Sequence, residues 1–197
     1  MSVMPVTPSA SLDARYHEEL RLRLGDEHYE WAGWRLAKKY GGRYVPRIRG
    51  VARYVVHHAV TPQDYRADGV WRYHVGSRGW DTPGYHLFIR GDGHVTMLLP
   101  PLAISYGAGP RWNPTSMHIC LAGHFGREEP SPEALQSLYV CLCAADDVVG
   151  YNVWRGHREL ASTACPGKNL FRHLRYMRGT RYGAAPDIGQ QRPQHYP

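Results

Sequence analysis

The 197-residue sequence has no apolar stretch long enough to cross a membrane as a helix. Such a helix needs about 18 consecutive apolar residues, and the longest candidate, residues 97–104, is interrupted by Pro100 and Pro101. Lysine is scarce, because Lys38, Lys39 and Lys168 are the only ones, and no block of like charges resembles a nucleic-acid-binding arm. We therefore expect no stable membrane insertion and no nucleic-acid partner.

We also expect neither a disulfide framework nor a secretory leader. The four cysteines, Cys120, Cys141, Cys143 and Cys165, do not have the spacing of a small disulfide-stapled fold. Residues 1–10 lack the charged start and the apolar stretch of a signal peptide. We therefore expect the protein to be made in the reducing cytoplasm of its producing cell.

The composition that is present indicates one folded, basic domain. Apolar residues make up 43% of the chain and aromatic residues 12%, which is enough to form a core. The 21 glycines and 15 prolines favour a loop-rich mixed fold over a helix bundle. The net charge of +7 favours an anionic partner such as nucleic acid, acidic lipid or a cell-wall polymer, and by itself does not choose among them.

The N-terminal residues 1–45 are predicted to form a helical extension. Ser11 is a good N-cap for a helix over residues 12–24, and Asp26 for a second helix over 27–40 that ends at Gly41 and Gly42. Two interpretations remain open. The helices could pack as a hairpin on the main domain, or they could form a surface-binding appendage that uses exposed tryptophans such as Trp34.

Residues 46–178 alternate between strand and helix signals, and residues 179–197 resemble a flexible tail. Strands are predicted at 54–58, 85–89, 94–99, 117–123 and 151–155, and helices at 65–79, 132–149 and 168–178. The Gly91-Asp92-Gly93 turn joins the second and third strands as a β-hairpin. We therefore expect an α/β fold with a single mixed central β-sheet flanked by helices.

One loop carries residues that are typical of a zinc site. His157 lies eight residues before Cys165, and a histidine at the end of a separate strand would complete three ligands. Three protein ligands with an open fourth position are typical of catalytic rather than structural zinc. The spacing alone is a modest signal, and a buried free thiol at Cys165 is the alternative, although Pro166 and Gly167 directly after it favour a fixed, exposed turn.

Several motifs, in order between residues 53 and 174, carry a family resemblance. They are Val55-Val56-His57-His58, Gly79-Trp80, Gly84-Tyr85-His86, Gly91-Asp92-Gly93, Gly156-His157-Arg158 and Thr163-Ala164-Cys165-Pro166-Gly167. Together they resemble the zinc-dependent N-acetylmuramoyl-L-alanine amidases, a family that includes phage endolysins and peptidoglycan recognition proteins. The resemblance implies that His57, His157 and Cys165 bind Zn²⁺ and that Tyr85 is the active-site tyrosine. Thr163 falls where phage members often have lysine and recognition proteins have threonine.

The resemblance implies hydrolysis of the amide between N-acetylmuramic acid and L-alanine in bacterial peptidoglycan. Water activated by zinc would attack the carbonyl, while Tyr85 and, more weakly, Thr163 would stabilise the oxyanion. Tyr85 could instead relay a proton, or simply pack beneath the site. We expect a monomeric phage-type endolysin that acts on the wall after release. The alternatives are a recognition module that binds without cutting and a cytosolic amidase that recycles muropeptides.

The remaining site residues are expectations from chemistry and strand alternation. Trp80, Trp112 and Asn113 are predicted to line a groove for glycan and peptide. His58 is expected on the opposite face of its strand from His57. His86 and His118 are interpreted as sheet or cleft residues, and His124 as a rim residue. Two departures from the family pattern are Ser105-Tyr106-Gly107-Ala108 in place of a His-Ala pair, and the absence of glutamate from residues 118–122.

Overall fold

A computed structural model describes residues 11–180, so the predicted tail lies outside the described residues from position 181 onward. The helices are α1 (Leu12–Leu24), α2 (Gly33–Tyr40), α3 (Ala67–Trp71), α4 (Pro132–Val148) and α5 (Lys168–Thr180). The strands are β1 (Tyr29–Trp31), β2 (Arg53–His58), β3 (Leu87–Ile89), β4 (Val95–Met97), β5 (Ser116–Leu121) and β6 (Val153–Gly156). No helix within residues 11–180 has the length and apolar character needed to span a membrane.

The six strands form one mixed sheet in the order β1-β4-β3-β5-β2-β6. Within residues 11–180, only the β3–β4 hairpin of this sheet is antiparallel, and every other neighbouring pair of strands is parallel. The predicted α/β fold with a single mixed sheet flanked by helices is therefore confirmed. The central position of β5 accounts for its nearly continuous apolar sequence, since both of its faces are covered.

The two faces of the sheet have different neighbours. On one face, Tyr54, Val56, Ile119 and Leu121 pack with residues of α1, α4 and α5 in the larger core. On the other face, Phe88 and Cys120 belong to a smaller core with residues of α2 and α3. Because side chains alternate along a strand, His57 and His118 lie on the second face, where the smaller core leaves room for a site.

The N-terminal segment differs from the predicted pair of helices. Helix α1 begins after Ser11, whose side chain accepts a hydrogen bond from Ala14 N–H, as predicted. The predicted second helix is wrong in its first half, because Tyr29–Trp31 forms β1 and pairs in parallel with β4. An unpaired edge of β4 gains backbone hydrogen bonds from this strand, which outweighs the weak helical signal.

Helix α1 is packed firmly on the domain. Tyr16 and Leu20 are fully buried in the larger core, and the Tyr16 hydroxyl donates to the carbonyl of Cys141 in α4 at 3.0 Å. Cys141 is itself a core residue, as predicted. Trp34 is 69% exposed, and a single exposed aromatic side chain of this kind is ordinary on a protein surface.

Arg47 joins the N-terminal segment to the loops around the sheet. Its guanidinium donates to five backbone carbonyls at 2.8–3.3 Å, those of Pro101, Ala103, Asn113, Pro114 and Ser116. Burial lowers the pKa of Arg47 to about 10, so it stays charged at neutral pH. One cation therefore satisfies carbonyl oxygens from the loop at residues 101–103 and from the segment 113–116 that leads into β5.

Replacing Arg47 with methionine is expected to lower the free energy of unfolding by about 2–4 kcal/mol, because the variant leaves several carbonyls without a partner. Chemical denaturation monitored by circular dichroism would measure the change. The matched control is Arg49→Met, since Arg49 is exposed and its loss should change stability by no more than about 0.5 kcal/mol. Equal stability of the two variants would contradict the assigned role of Arg47.

Candidate metal centre

The three predicted metal ligands meet at the carboxyl ends of parallel strands. His57 lies near the end of β2, and His157 directly follows β6, the strand paired with β2. Cys165 lies on the loop that leads into α5. The carboxyl edge of a parallel sheet is the usual place for a ligand site, because loops from several strands converge there.

His57, His157 and Cys165 each direct one potential ligand atom into the same small volume, and all three atoms lie within 4.8 Å of one another. The His57 Nδ1 and Cys165 Sγ atoms are 3.6 Å apart. Tetrahedral zinc with bonds of about 2.3 Å to sulfur and about 2.0–2.1 Å to nitrogen separates such atoms by about 3.6 Å. The donor set therefore fits a zinc ion in both chemistry and spacing.

The protonation states also suit a metal site. Burial lowers the pKa of His57 well below its usual value and lowers that of His157, so both imidazoles are neutral at pH 7. Burial raises the pKa of the Cys165 thiol to about 11. Without a cation, the thiol therefore keeps its proton. A bound divalent cation favours the thiolate, so metal binding would release one proton.

The loop around Cys165 is held by local hydrogen bonds. The Thr163 hydroxyl oxygen accepts from Cys165 N–H at 3.2 Å, and the sulfur accepts from His58 N–H at 3.4 Å. Gly167 has a φ of +88°, and a Cβ atom there would lie 2.3 Å from the backbone of Phe125. The glycine that follows Cys165-Pro166 is thus required by a close backbone approach.

Tyr85 lies beside this cluster, with its ring centroid 5.3 Å from that of His57. Burial raises its pKa well above the usual value, with further contributions from the nearby Cys120 and Cys165. Its hydroxyl lies close to the Cys120 thiol, and sulfur is a weak acceptor. The neutral phenol therefore keeps a proton that it can donate to a stronger acceptor.

Aromatic side chains extend the site from Tyr85 outward. The His74 ring lies 5.4 Å from that of Tyr85 and stacks on Trp80 at 4.7 Å with the planes 13° apart. The Arg78 guanidinium lies 5.1 Å from the Trp80 ring, and the Tyr106 ring meets Trp80 edge-on. Trp80 thus belongs to an aromatic surface continuous with Tyr85. His74 and Tyr106 are also part of this surface, although no motif in the sequence pointed to them.

Trp112 and Asn113 lie on a different loop. Trp112 Nε1 donates to the carbonyl of Leu160, just beyond His157, and the guanidinium groups of Arg53 and Arg111 lie within 4.9 Å of its ring. Asn113 is only 6% exposed, and its Oδ1 accepts from Ala108 N–H at 2.8 Å. In the structure Asn113 therefore braces its own loop, while Trp112 packs against the loop that follows His157.

The other histidines divide as strand alternation predicts. His58 points away from the cluster, where its Nδ1 accepts from Phe125 N–H and its ring lies 5.7 Å from that of His124. His118 is instead fully buried against the ligand cluster, with its Nδ1 2.9 Å from His57 Nε2. No spacing signal in the sequence pointed to this contact, because it joins two strands 61 residues apart.

Several basic side chains line a groove of about 460 Å³ along α5. Its lining residues are Arg158, Lys168, Phe171, Arg172, Arg175 and Tyr176. Arg158 directly follows His157, and its backbone N–H donates to the carbonyl of Cys165 at 2.8 Å. Part of the basic excess therefore lies next to the loop that carries two of the three candidate ligands.

Comparison with known proteins adds sequence and structural relatives. The chain is 34% identical over 137 residues to peptidoglycan recognition protein 1 of Bos indicus, covering 64% of this chain and 72% of the relative. It superposes on the Ph2119 endolysin of a Thermus scotoductus bacteriophage with a TM-score of 0.65 and 27% identity, covering 75% of this chain and 96% of the endolysin.

A second solved structure, the N-acetylmuramoyl-L-alanine amidase LysC of Clostridium intestinale, gives a TM-score of 0.59 and 25% identity, covering 70% of this chain and 94% of LysC. The sequence profile of the N-acetylmuramoyl-L-alanine amidase family matches residues 48–168, which include all three candidate ligands and Tyr85. The profile spans more than half of the chain. The protein therefore belongs to the N-acetylmuramoyl-L-alanine amidase family.

Proposed function

We propose that the protein is a zinc-dependent hydrolase that cleaves the amide between N-acetylmuramic acid and L-alanine in peptidoglycan. The observation that carries this proposal is the convergence of His57, His157 and Cys165 within 4.8 Å, with Tyr85 beside them. A module that only binds peptidoglycan has no need for three metal-ligand atoms around one point. Membership of an amidase family supports the same bond specificity.

His57, His157 and Cys165 would hold the zinc ion. When bound, zinc supplies a Lewis acid that polarises a carbonyl group and lowers the pKa of water to about 7. Hydrolysis adds one water molecule across the amide, so the lactyl group becomes a carboxylate and L-alanine regains a free amine. The remaining residues must orient the amide and stabilise the charge that develops on its oxygen.

Tyr85 is proposed to donate its hydroxyl proton in a hydrogen bond to that oxygen. Its raised pKa keeps the phenol neutral, so it acts as a donor rather than as a base at neutral pH. A developing oxyanion is a much stronger acceptor than the nearby Cys120 thiol, so the hydrogen bond from Tyr85 strengthens as the reaction proceeds. An interaction that is stronger in the transition state than in the ground state is what accelerates a reaction.

Thr163 is proposed to act mainly through position. Its oxygen accepts from Cys165 N–H, which fixes the turn that presents the sulfur. Its hydroxyl hydrogen stays available for the substrate. Trp80 and Trp112 are proposed to contact glycan or peptide, since both aromatic rings are partly exposed near the site.

The biological setting proposed for this activity is lysis of a bacterial wall by an endolysin that its producing cell releases from the cytoplasm. Similarity to the Ph2119 endolysin supports this setting. The basic groove beside the His157–Cys165 loop would favour approach to a negatively charged wall. The protein is proposed to work as a monomer on this substrate.

The test is an assay of which bond breaks. Purified protein incubated with insoluble peptidoglycan is expected to release new L-alanine amino termini, without new glycan reducing ends, in a reaction that a zinc chelator stops and added zinc restores. Binding to the wall without release of amines would instead establish a recognition module. Cleavage of soluble muropeptides but not of intact walls would identify a recycling enzyme.

A further inference from the structure

His118 makes a direct contact with the proposed zinc ligand His57. The strands β2 and β5 are parallel neighbours, with Val55 opposite His118 and His57 opposite Cys120. His118 and His57 therefore lie on the same face of the sheet, at diagonal positions that differ by two residues in register. Their rings approach to 5.1 Å between centroids, and His118 Nδ1 lies 2.9 Å from His57 Nε2. Both side chains are almost wholly buried, at 0% and 1% exposure.

The direction of the hydrogen bond between them follows from the neighbours of His57. Its Nδ1 faces Cys165 Sγ at 3.6 Å, within the ligand cluster, and a ligand nitrogen must present a lone pair. A neutral imidazole carries one proton, so that of His57 lies on Nε2 and points at His118. His118 Nδ1 is then the acceptor, and His118 carries its own proton on Nε2.

The position of His118 is set by the strand and loop around it. Its backbone N–H donates to His86 Nδ1 at 3.0 Å, and its carbonyl accepts from His86 N–H at 2.8 Å. His86 Nδ1 therefore accepts a hydrogen bond, while its Nε2 lies 3.1 Å from the Ala103 carbonyl and 3.2 Å from the Arg47 guanidinium. His86, which directly precedes the neighbouring strand β3, therefore fixes the backbone of His118 through these two hydrogen bonds.

Gly107 leaves the space that the imidazole of His118 occupies. A Cβ atom at Gly107 would lie 2.7 Å from His118 Nδ1 and 2.6 Å from the carbonyl oxygen of Gly84. Any other residue at position 107 would push against the acceptor nitrogen. The loop at residues 105–108, which departs from the family pattern, thus leaves at Gly107 the space that the imidazole of His118 needs.

We infer that His118 is a positioning residue for the metal centre, whose Nδ1 holds His57 in the Nε2–H form and so directs Nδ1 of His57 toward the metal. The inference rests on the proposed zinc-dependent function and deepens it. Metal-binding histidines usually donate their other N–H to a carboxylate, a backbone carbonyl or water, and these partners tune ligand orientation and basicity. Here a buried neutral imidazole takes that place.

The first measurement needs no metal. Long-range proton–nitrogen NMR spectra of the metal-free protein report which ring nitrogen of each histidine carries the proton. We expect the Nε2–H form for both His57 and His118. A proton on Nδ1 of His57 would overturn the inference, because His118 would then have no proton to accept from it.

The second measurement compares zinc affinities, determined by competition with a chelator. His118→Asn keeps an acceptor, since the amide oxygen can take the place of Nδ1, whereas His118→Leu has similar size and no polar atom. We expect the leucine variant to bind zinc about 10–100-fold more weakly than the wild type, and the asparagine variant to stay within about threefold. Equal affinities for all three proteins would overturn the inference.

A control separates positioning from general destabilisation. Leu174→Ala removes a buried side chain from the opposite core and should lower the melting temperature while leaving zinc affinity unchanged. If the leucine variant of His118 fails to fold, the asparagine variant and the NMR spectra of the wild type still decide the question. Absence of zinc binding by the wild type would overturn the proposed function itself, whereas zinc binding that does not depend on His118 would overturn only this inference.

Discussion

Replacement of Cys165 with alanine is expected to abolish stable zinc binding and to reduce amide hydrolysis by at least about 10³-fold, or about 4 kcal/mol of transition-state stabilisation. The variant leaves only the two imidazoles of His57 and His157, and loses the one donor that becomes an anion when metal binds. Metal content after dialysis and the rate of L-alanine amine release from peptidoglycan would measure the two effects together.

The matched control is Cys143→Ala, which removes another partly buried free cysteine, in α4. Cys143 packs against the larger core, so this control should retain zinc and activity. The proposed ligand set would be refuted if the Cys165 variant kept full zinc content and full activity. Loss of activity in both variants would instead point to a general effect on folding.

Replacement of Tyr85 with phenylalanine is expected to lower kcat by about 10²–10³-fold, because it removes one hydrogen-bond donor from the developing oxyanion. The ring is retained, so its packing against His57 and His74 should persist. Zinc affinity and binding to insoluble peptidoglycan should stay near wild-type values. Steady-state kinetics with a soluble muropeptide, together with a sedimentation assay on walls, would resolve these quantities.

Tyr73→Phe is the control for this experiment. Tyr73 lies beside His74 but is 52% exposed, so its hydroxyl should contribute nothing to kcat. An unchanged kcat in the Tyr85 variant would assign Tyr85 to packing alone, which is the alternative that the sequence leaves open. A reduced zinc affinity would assign it to support of the ligand cluster rather than to the oxyanion.

The predicted elements that agree with the structure are those with strong local signals. Ser11 caps α1 and Ser131 caps α4, each through its side-chain oxygen, as the sequence predicts. The Gly91-Asp92-Gly93 turn joins an antiparallel pair, β3 and β4. These features depend on residues within a few positions of each other, so a single sequence carries enough information to place them.

The prediction is wrong where distant pairing overrides a local preference. Tyr29–Trp31 becomes a strand because β4, more than 60 residues later, offers an edge to pair with. Tyr85 illustrates the same limit. A strand over 85–89 would place Tyr85 on the same face as Leu87 and Ile89, in the larger core. The strand in fact begins at Leu87, and Tyr85 packs against the smaller core beside His57.

The sequence by itself determined the chemistry available to this protein: two histidines and a cysteine in motifs that resemble those of an amidase family, a tyrosine among them, and a basic chain. Only the tertiary structure decided which atoms meet, because parallel strands bring together residues that lie far apart along the chain. It placed Asn113 as a brace for its own loop and His118 against His57. Contacts of this kind depend on sheet register and on the space left by a glycine, neither of which has a signal in sequence spacing.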